Sequence, residues 1–165
     1  MDGDRYIAAS FLLEFLGFMG ARAEMVKVTV ESRPDYVDLL QTLAENIARM
    51  MGFDEDGVYW VGMSTRECVA NAICHGNKCD ESKEVEVQFE ICEDRLVISV
   101  DDAGEGFDPS SVADPRAEEN LLKPSGRGIF FIRSFMDEVD VLRSPAGGTR
   151  LRMVKRADLS KRRTE

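Results

Sequence analysis

The amino-acid sequence predicts an α+β fold, a two-layer α/β sandwich with a mixed, mostly antiparallel sheet and its helices on one face. The first observation is that strand-like segments with alternating apolar residues come in adjacent pairs, at residues 83–102 and 138–156. The second is that segments with apolar residues at helical spacing separate these pairs from each other and from a first strand. The resulting order is β-α-α-β-β-loop-α-β-β, without a linker or an internal repeat.

Composition and charge are those of a globular chain with an acidic surface. The 165 residues suffice to bury one sizeable core, and 44% of them are hydrophobic while 32% are charged. The net charge of -10 repels nucleic acid and anionic membranes, so we expect no direct nucleic-acid binding. The same negative charge favours binding to a partner protein that has a basic surface.

Residues 1–24 form an apolar extension, residues 25–155 form the predicted domain, and residues 156–165 form a basic tail. The stretch YIAASFLLEFLGFMG would extend about 22 Å as a helix, short of the roughly 30 Å that a bilayer requires. We therefore expect no membrane span. The extension is a start upstream of the domain, an extra helix packed on a partner, or a membrane-surface or dimerisation helix.

The first strand and two helices follow the extension. The valines of residues 26–30 alternate with polar residues, which is the period of a half-buried strand. Ser32 and Asp35 fit a capping box for the first helix, and Asp54 or Asp56 caps the second. Five apolar residues of the first helix recur at helical spacing: Leu39, Leu40, Leu43, Ile47 and Met50.

The second helix contains the stretch RECVANAICHGN, residues 66–77. Glu67, Asn71 and His75 are four residues apart and lie roughly in one line, opposite an apolar face. Such a line is also typical of the solvated face of any amphipathic helix, so its spacing alone does not establish a site.

Two hairpins complete the predicted sheet. The strand KEVEVQFEIC alternates strictly, which places four apolar residues on one face: Val85, Val87, Phe89 and Ile91. EDRLVISVDD returns after a tight turn. A long aperiodic loop then leads to a third helix at about residues 128–137 and to a closing hairpin around residues 145–148.

The cysteines show neither a disulfide framework nor a metal site. Their spacing contains no C-x-x-C, and apolar helix positions surround the first two of Cys68, Cys74, Cys79 and Cys92. Reduced thiols and the lack of an export signal favour the cytoplasm.

Asp102 ends the apolar strand of the first hairpin, in the stretch DDAGEGFDP. Gly104 and Gly106 follow at alternate positions, where glycine lets the backbone turn sharply and approach a ligand. A carboxylate at such a position can accept a hydrogen bond from a ligand amino group. Taken by itself, the stretch fits an ordinary glycine-containing bend equally well.

Gly126 and Gly128 flank Arg127 at the start of the third helix. Free N–H groups at a helix start attract phosphate, and an arginine adds a charged fork for phosphate oxygens. A flexible hinge into a core helix is the alternative. The last stretch, GGT at residues 147–149, is by itself typical of a hairpin turn.

The four stretches occur in one order: E-x-x-x-N on a helix, D-x-G-x-G after a strand, G-x-G at a helix start, and GGT. In that order and content the sequence resembles the GHKL, or Bergerat-fold, ATPases. Within them it is most similar to the RsbW-type branch, the bacterial anti-sigma-factor serine/threonine kinases, across nearly all of residues 25–155. The resemblance implies a histidine-kinase-like ATPase fold with ATP and Mg²⁺ as cofactors.

For the phosphate end of the site, the resemblance implies that Asn71 holds Mg²⁺ and that Glu67 is the general base for a protein serine hydroxyl or for water. It also implies that Gly126, Arg127 and Gly128 cradle the phosphates. A carboxylate and an amide one helical turn apart suit phosphoryl transfer, which depends on positioning and charge neutralisation.

For the adenine end, the resemblance implies that Asp102 accepts from the adenine amino group. Gly104 and Gly106 would shape that pocket, and Thr149 would support it through a water molecule. Residues 108–125 would form the ATP lid.

The resemblance implies an ATP-dependent protein serine/threonine kinase that is also an anti-sigma factor and forms a homodimer. It would bind a sigma factor and phosphorylate a serine of an antagonist, or anti-anti-sigma, protein. Two alternatives stay open, a non-catalytic ATP-gated protein-binding regulator and an ATP-hydrolysing GHKL protein. A self-phosphorylating histidine kinase is not expected, because the single histidine, His75, lies within the proposed site.

Two basic residues at the end of the second helix keep open roles. His75 orients Glu67, holds the following loop or touches phosphate. Lys78 is either a phosphate contact or a solvated surface lysine.

Overall fold

The computed structural model describes residues 23–106 and 124–157. There the elements follow the predicted order: β1 Glu24–Glu31, α1 Tyr36–Met50, α2 Glu55–Ala70, β2 Glu84–Ile91, β3 Arg95–Asp101, α3 Pro124–Phe135, β4 Glu138–Arg143 and β5 Thr149–Arg156. A π-helical turn, Asn71–Gly76, continues α2.

The predictions for the extension up to residue 22, for the lid at residues 107–123 and for the tail from residue 158 lie outside the described residues. Among the helices of the described ranges, none combines the length and apolar character that crossing a membrane requires.

The five strands form one sheet in the order β1-β2-β3-β5-β4, and every pairing between them is antiparallel. This arrangement confirms the predicted α+β class with a mostly antiparallel sheet. The register between β3 and β5 places Asp101 opposite Arg150. The residues that follow β3 and precede β5 therefore lie side by side, which brings the D-x-G-x-G and GGT stretches together.

The core lies between the sheet and the helices. The apolar face predicted for β2 is confirmed, because Val85, Val87 and Phe89 are fully buried and Ile91 packs against the same cluster. Residues of α1 and α2 complete this cluster: Leu40, Ala44, Ile47, Val61 and Val69. Burial of this kind of surface stabilises a domain by about 25 cal/mol per Å² of apolar area.

Not every apolar residue of α1 reaches the core. Leu39 and Met50 are 57% and 78% exposed. The buried stripe follows Leu40, Ala44 and Ile47, and one residue along a helix corresponds to a rotation of about 100°. Two adjacent leucines cannot both face the sheet, so Leu39 is left at the side of the helix.

The capping predictions had different outcomes. The Asp54 side chain accepts a hydrogen bond from the Gly57 N–H at 2.9 Å, which confirms Asp54 as a cap of α2. The capping box at Ser32 and Asp35 is wrong, because the Asp35 side chain makes no cap hydrogen bond. Ser32 is 1% exposed and donates instead to the Lys83 carbonyl at 2.8 Å. A buried hydroxyl needs a partner inside the fold, and the residue directly before β2 supplies one.

α3 begins at Pro124, earlier than the predicted start near residue 128. Gly126, Arg127 and Gly128 therefore belong to the first turns of α3 rather than to a segment before it. Proline suits the first position of a helix, because the N–H that it lacks would have no partner there.

Aromatic packing fixes α3 against α2. The Trp60 ring of α2 stacks on Phe135 of α3, with 3.5 Å between the ring centroids. Phe131 meets the same indole edge-on at 5.9 Å, and Ile132 is fully buried. This contact joins the second half of α3 to the first half of α2, while Gly128 near the beginning of α3 lies against Glu67 near the end of α2.

Candidate functional site

A cleft of about 270 Å³ opens between α2, α3 and the end of β3. Six residues singled out in the sequence line it: Asn71, His75, Lys78, Asp102, Gly106 and Thr149. Apolar side chains, among them Val100 and Ile129, form much of the remaining wall. An apolar wall with a few polar groups is typical of a small-molecule site.

The π-helical turn modifies the helix on which the polar line was predicted. A π-helical turn is wider than an α-helical one, because its hydrogen bonds span five residues instead of four. Here the Asn77 N–H donates to the Ala72 carbonyl, five residues earlier, at 2.8 Å. Ala72 and Ile73 stay buried, whereas His75 is exposed at the mouth of the cleft. Single π turns inside helices often occur at functional sites.

Glu67 and Asn71 form a hydrogen-bonded pair at the end of α2. Asn71 Nδ2 donates to Glu67 Oε1 at 3.2 Å. The bond leaves Asn71 Oδ1 and the second carboxylate oxygen of Glu67 for other partners. Gly128 of α3 lies directly against the pair, because a methyl group in its place would collide with Glu67 Oε1 and come within 3.0 Å of Asn71 Nδ2.

Asp102 is held by the backbone at the end of β3. It is 5% exposed, and its Oδ1 accepts from the N–H groups of Gly104 at 2.9 Å and Thr149 at 3.1 Å. Its own N–H donates to the Thr149 carbonyl at 3.0 Å. Within the described ranges no hydrogen bond engages Oδ2, so this oxygen is the acceptor that Asp102 offers to a ligand in the cleft.

Glycines make the close approach around Asp102 possible. A methyl group at Gly76 would stand 2.5 Å from Asp102 Oδ2, and one at Gly148 would collide with Oδ1. A methyl group at Gly104 would collide with the Gly76 carbonyl oxygen. Gly106 has a φ of +81°, which favours glycine in any case. The sequence motifs indicated roles for Gly104 and Gly106, whereas no motif pointed to Gly76, and the stretch that contains Gly148 was typical only of a turn.

Asn77 is a further residue of the site, and no motif in the sequence predicts it. It is fully buried, and its Nδ2 donates to Ser32 Oγ at 2.8 Å and to the Glu84 carbonyl at 2.9 Å. Its Oδ1 accepts from the Ala103 N–H at 2.9 Å. Asn77 thereby ties the π-helical turn to the segment next to Asp102. A polar residue directly after a helix was its only signal, and that signal is weak.

The two basic residues of open role lie at the mouth of the cleft. Lys78 is exposed and forms an ion pair with Glu105 at 3.5 Å. No hydrogen bond joins His75 to Glu67 in the described residues, so nothing in the geometry supports His75 as the residue that orients Glu67.

The thiol of Cys68 forms part of the cleft wall. Burial, with a contribution from the nearby Glu67 carboxylate, raises its pKa far above the ordinary range. A neutral, buried thiol is a poor nucleophile and acts here as a small apolar group.

A family profile and individual relatives match most of the sequence. The sequence profile of the histidine kinase-like ATPase domain matches residues 30–155. The matched region contains Glu67, Asn71, Asp102 and the three glycine-containing stretches.

Individual relatives cover most of the chain. Serine-protein kinase RsbW of Bacillus licheniformis is 31% identical over 132 residues, which are 74% of this chain and 81% of the relative. Serine-protein kinase RsbW of Bacillus subtilis (strain 168) is 29% identical over 129 residues, again 74% of this chain and 81% of the relative. Anti-sigma F factor of Clostridium perfringens is 38% identical over 94 residues, 54% of this chain and 66% of the relative.

Proposed function

The chain belongs to the family of histidine kinase-like ATPase domains, and on that premise we propose that it is an ATP-dependent protein serine/threonine kinase and an anti-sigma factor. The family membership that the motifs indicated is confirmed by the profile match and by relatives named serine-protein kinase RsbW. One observation carries the proposal: Asp102 and Asn71 line one cleft, and Asn71 is bonded to Glu67.

Asp102 is the proposed acceptor for the adenine amino group. Two backbone N–H groups fix its carboxylate through Oδ1, so little conformational freedom is lost when Oδ2 accepts from a ligand. Val100 and Ile129 offer apolar contacts to the faces of the base. Thr149 lines the same end of the cleft and would support the adenine through a water molecule.

The chemistry of the other end fits a triphosphate with Mg²⁺. Asn71 uses its Nδ2 for Glu67, and its remaining Oδ1 is the kind of hard oxygen ligand that Mg²⁺ prefers. Because Gly128 has no side chain, the α3 backbone can lie directly against the Glu67–Asn71 pair. The first turns of α3, with Gly126 and Arg127, would cradle the phosphates. When bound, Mg²⁺ neutralises charge on the phosphates.

Glu67 is the proposed general base. The hydrogen bond from Asn71 orients its carboxylate and leaves one oxygen to accept the proton of a substrate serine hydroxyl. The serine oxygen then forms its bond to the γ-phosphorus as the bond to ADP breaks, and Glu67 retains the proton. Phosphoryl transfer of this kind depends on the positioning of the two oxygens in line.

The partners in the proposal are a sigma factor, which the protein binds, and an antagonist protein, which it phosphorylates on serine. The Clostridium perfringens relative is named an anti-sigma F factor, which supports the first partner. The net charge of -10 makes direct nucleic-acid binding unfavourable, so control would act through proteins. The proposal includes a homodimer in the cytoplasm, where the free thiols of the described residues would stay reduced.

Transfer of labelled γ-phosphate from ATP to a candidate antagonist protein tests the proposal. Glu67→Gln keeps an acceptor for Asn71 Nδ2 but removes the base, so the transfer rate is expected to fall about 10²- to 10⁴-fold. ATP affinity, measured by calorimetry, is expected to stay within about twofold of the wild-type value. Glu55→Gln makes the same change at the exposed start of the same helix and should leave both quantities unchanged.

The alternatives predict different results in the same assay. Equal transfer by wild type and Glu67→Gln would contradict the base assignment. ATP binding without transfer to any antagonist would favour an ATP-gated binding regulator. Rapid partner-independent hydrolysis of ATP would favour an ATP-hydrolysing protein instead.

A further inference from the structure

Two exposed cysteines lie next to each other at the edge of the cleft. The Sγ atoms of Cys74 and Cys79 are 3.6 Å apart, with the Cys79 S–H donating to the Cys74 sulfur. Both thiols are free, and both side chains are exposed to solvent. The function proposed above uses neither of them.

The backbone holds the two thiols together. The Cys79 N–H donates to the Ile73 carbonyl at 2.8 Å, which ties residue 79 to the residue just before Cys74. Lys78 and Cys79 both have left-handed backbone conformations, with φ of 58° and 56°. Consecutive non-glycine residues adopt this conformation rarely. The turn therefore positions Cys79 over Cys74, and the short sulfur–sulfur distance follows from this backbone path.

The segment between the two thiols forms part of the cleft. His75, Gly76 and Lys78 line the cleft, and Asn77 bonds to the segment next to Asp102. A covalent link between Cys74 and Cys79 would close a small ring around these residues. Any movement that the link imposes would reach the wall of the cleft directly.

We propose that Cys74 and Cys79 form a dithiol site that a peroxide oxidises reversibly to a disulfide, and that this disulfide weakens nucleotide binding. One thiolate attacks a peroxide oxygen to form a sulfenic acid and releases the first water molecule. The other thiol then attacks that sulfur, forms the S–S bond and releases the second water molecule. The two thiols lose two protons and two electrons, and hydrogen peroxide gains them; a dithiol reductant reverses the change.

The effect on nucleotide binding rests on the proposed function of the cleft. Disulfide formation brings the sulfurs from 3.6 Å to about 2.05 Å, so the backbone on one or both sides must shift. A displacement of about 1 Å in a positioned catalytic site can lower the rate up to about a hundredfold. For the binding of ATP to this cleft we expect a fall in affinity of about tenfold. Because the coupling is reciprocal, bound ATP is expected to slow disulfide formation.

The other two cysteines provide contrast within the same chain. Cys68 is buried, and Cys92 is separated from the pair by the length of β2. Although Cys74 is exposed, its sulfur loses part of its hydration against the neighbouring residues, and this loss, together with the hydrogen bond from Cys79, raises the pKa of the Cys74 thiol. Since the thiolate is the nucleophile, oxidation of the pair is expected to be faster at mildly alkaline pH than at neutral pH.

The experiment treats the full chain with hydrogen peroxide and analyses tryptic peptides by mass spectrometry. Trypsin cleaves after Arg66, Lys78 and Lys83, so the disulfide would join the peptide of residues 67–78 to that of residues 79–83. We expect the joined peptides from the wild type and from the control Cys92→Ser, and their loss in Cys74→Ser and Cys79→Ser. A fragment spectrum assigns the bond to Cys74 rather than to Cys68 in the same peptide.

ATP affinity is then measured by calorimetry on the oxidised, the reduced and the re-reduced protein. A drop of about tenfold on oxidation that is recovered on reduction, in wild type and Cys92→Ser alike, supports the proposal. Separate alkylation of both thiols after peroxide treatment, without joined peptides, would overturn the dithiol site. Joined peptides with unchanged ATP affinity would overturn the regulatory effect. Failure of the reduced protein to bind ATP would instead refute the proposed function, because the peptide analysis does not depend on nucleotide.

Discussion

The two ends of the cleft are constructed differently. At the Asp102 end, the contacts join residues far apart in the chain: Thr149 donates to Asp102 across 47 positions, and Ala103 donates to Asn77 across 26. At the Glu67 end, Asn71 donates to Glu67 across only four positions of one helix. The first end is buried and fixed by backbone groups, whereas the second is half-exposed and held by a single side-chain hydrogen bond.

The difference indicates a division of roles between the ends. A preformed, buried acceptor at the Asp102 end selects the ligand with little reorganisation. Side chains with spare oxygens at the Glu67 end can adjust to the metal and phosphates. Substitutions at the Asp102 end should therefore affect stability and selectivity, whereas those at the Glu67 end should affect metal-dependent steps.

Asn77→Ala is expected to produce the largest effect and tests whether long-range bonds organise the Asp102 end. The variant leaves the partly buried Glu84 carbonyl and Ala103 N–H without their hydrogen bonds to Asn77. The free energy of unfolding is expected to fall by about 3 kcal/mol, measured by urea denaturation. Asn46→Ala, on the exposed side of α1, is the control and should change it by less than about 0.5 kcal/mol. A similar small change in Asn77→Ala would show that this end does not depend on the Asn77 bonds.

Asp102→Asn is expected to have the next largest effect and tests selectivity. An asparagine can still accept from Gly104 and Thr149 with its oxygen, but it turns an NH₂ group toward the ligand. ATP affinity is expected to fall by about 2 kcal/mol, roughly thirtyfold, in calorimetry. Inosine triphosphate, with an acceptor oxygen in place of the adenine amino group, should bind the variant better than it binds the wild type. Unchanged ATP affinity would contradict the assignment of Asp102 to the adenine.

Asn71→Ala is expected to have the smallest effect of the three and tests the metal dependence of the other end. With Mg²⁺ present, ATP affinity is expected to fall about tenfold, or about 1.4 kcal/mol. With a chelator in place of Mg²⁺, the variant and the wild type should bind ATP equally. An equal loss under both conditions would mean that Asn71 acts on the nucleotide itself or on the orientation of Glu67.

Element order and local motifs were predictable from the sequence. Apolar alternation predicted β2 and its buried face, and an acidic N-cap predicted the start of α2, because each depends on neighbouring residues. The motif order also indicated the family that the profile match shows. The predicted cap at Ser32 is wrong because the Ser32 hydroxyl donates instead to the carbonyl of Lys83, which lies 51 positions away.

What the sequence determined by itself is therefore local: the strands and helices, the spacing of Glu67 and Asn71, and the motif order that places the chain in its family. The tertiary structure alone decided that Asn77 ties the turn after α2 to the segment beside Asp102. It also decided that Gly76 and Gly148 crowd the Asp102 carboxylate, and that two thiols meet at the edge of the cleft. The physical reason is that these contacts depend on strand register and on a left-handed turn. Contacts of that kind leave no periodic pattern in the sequence, whereas helices and strands do.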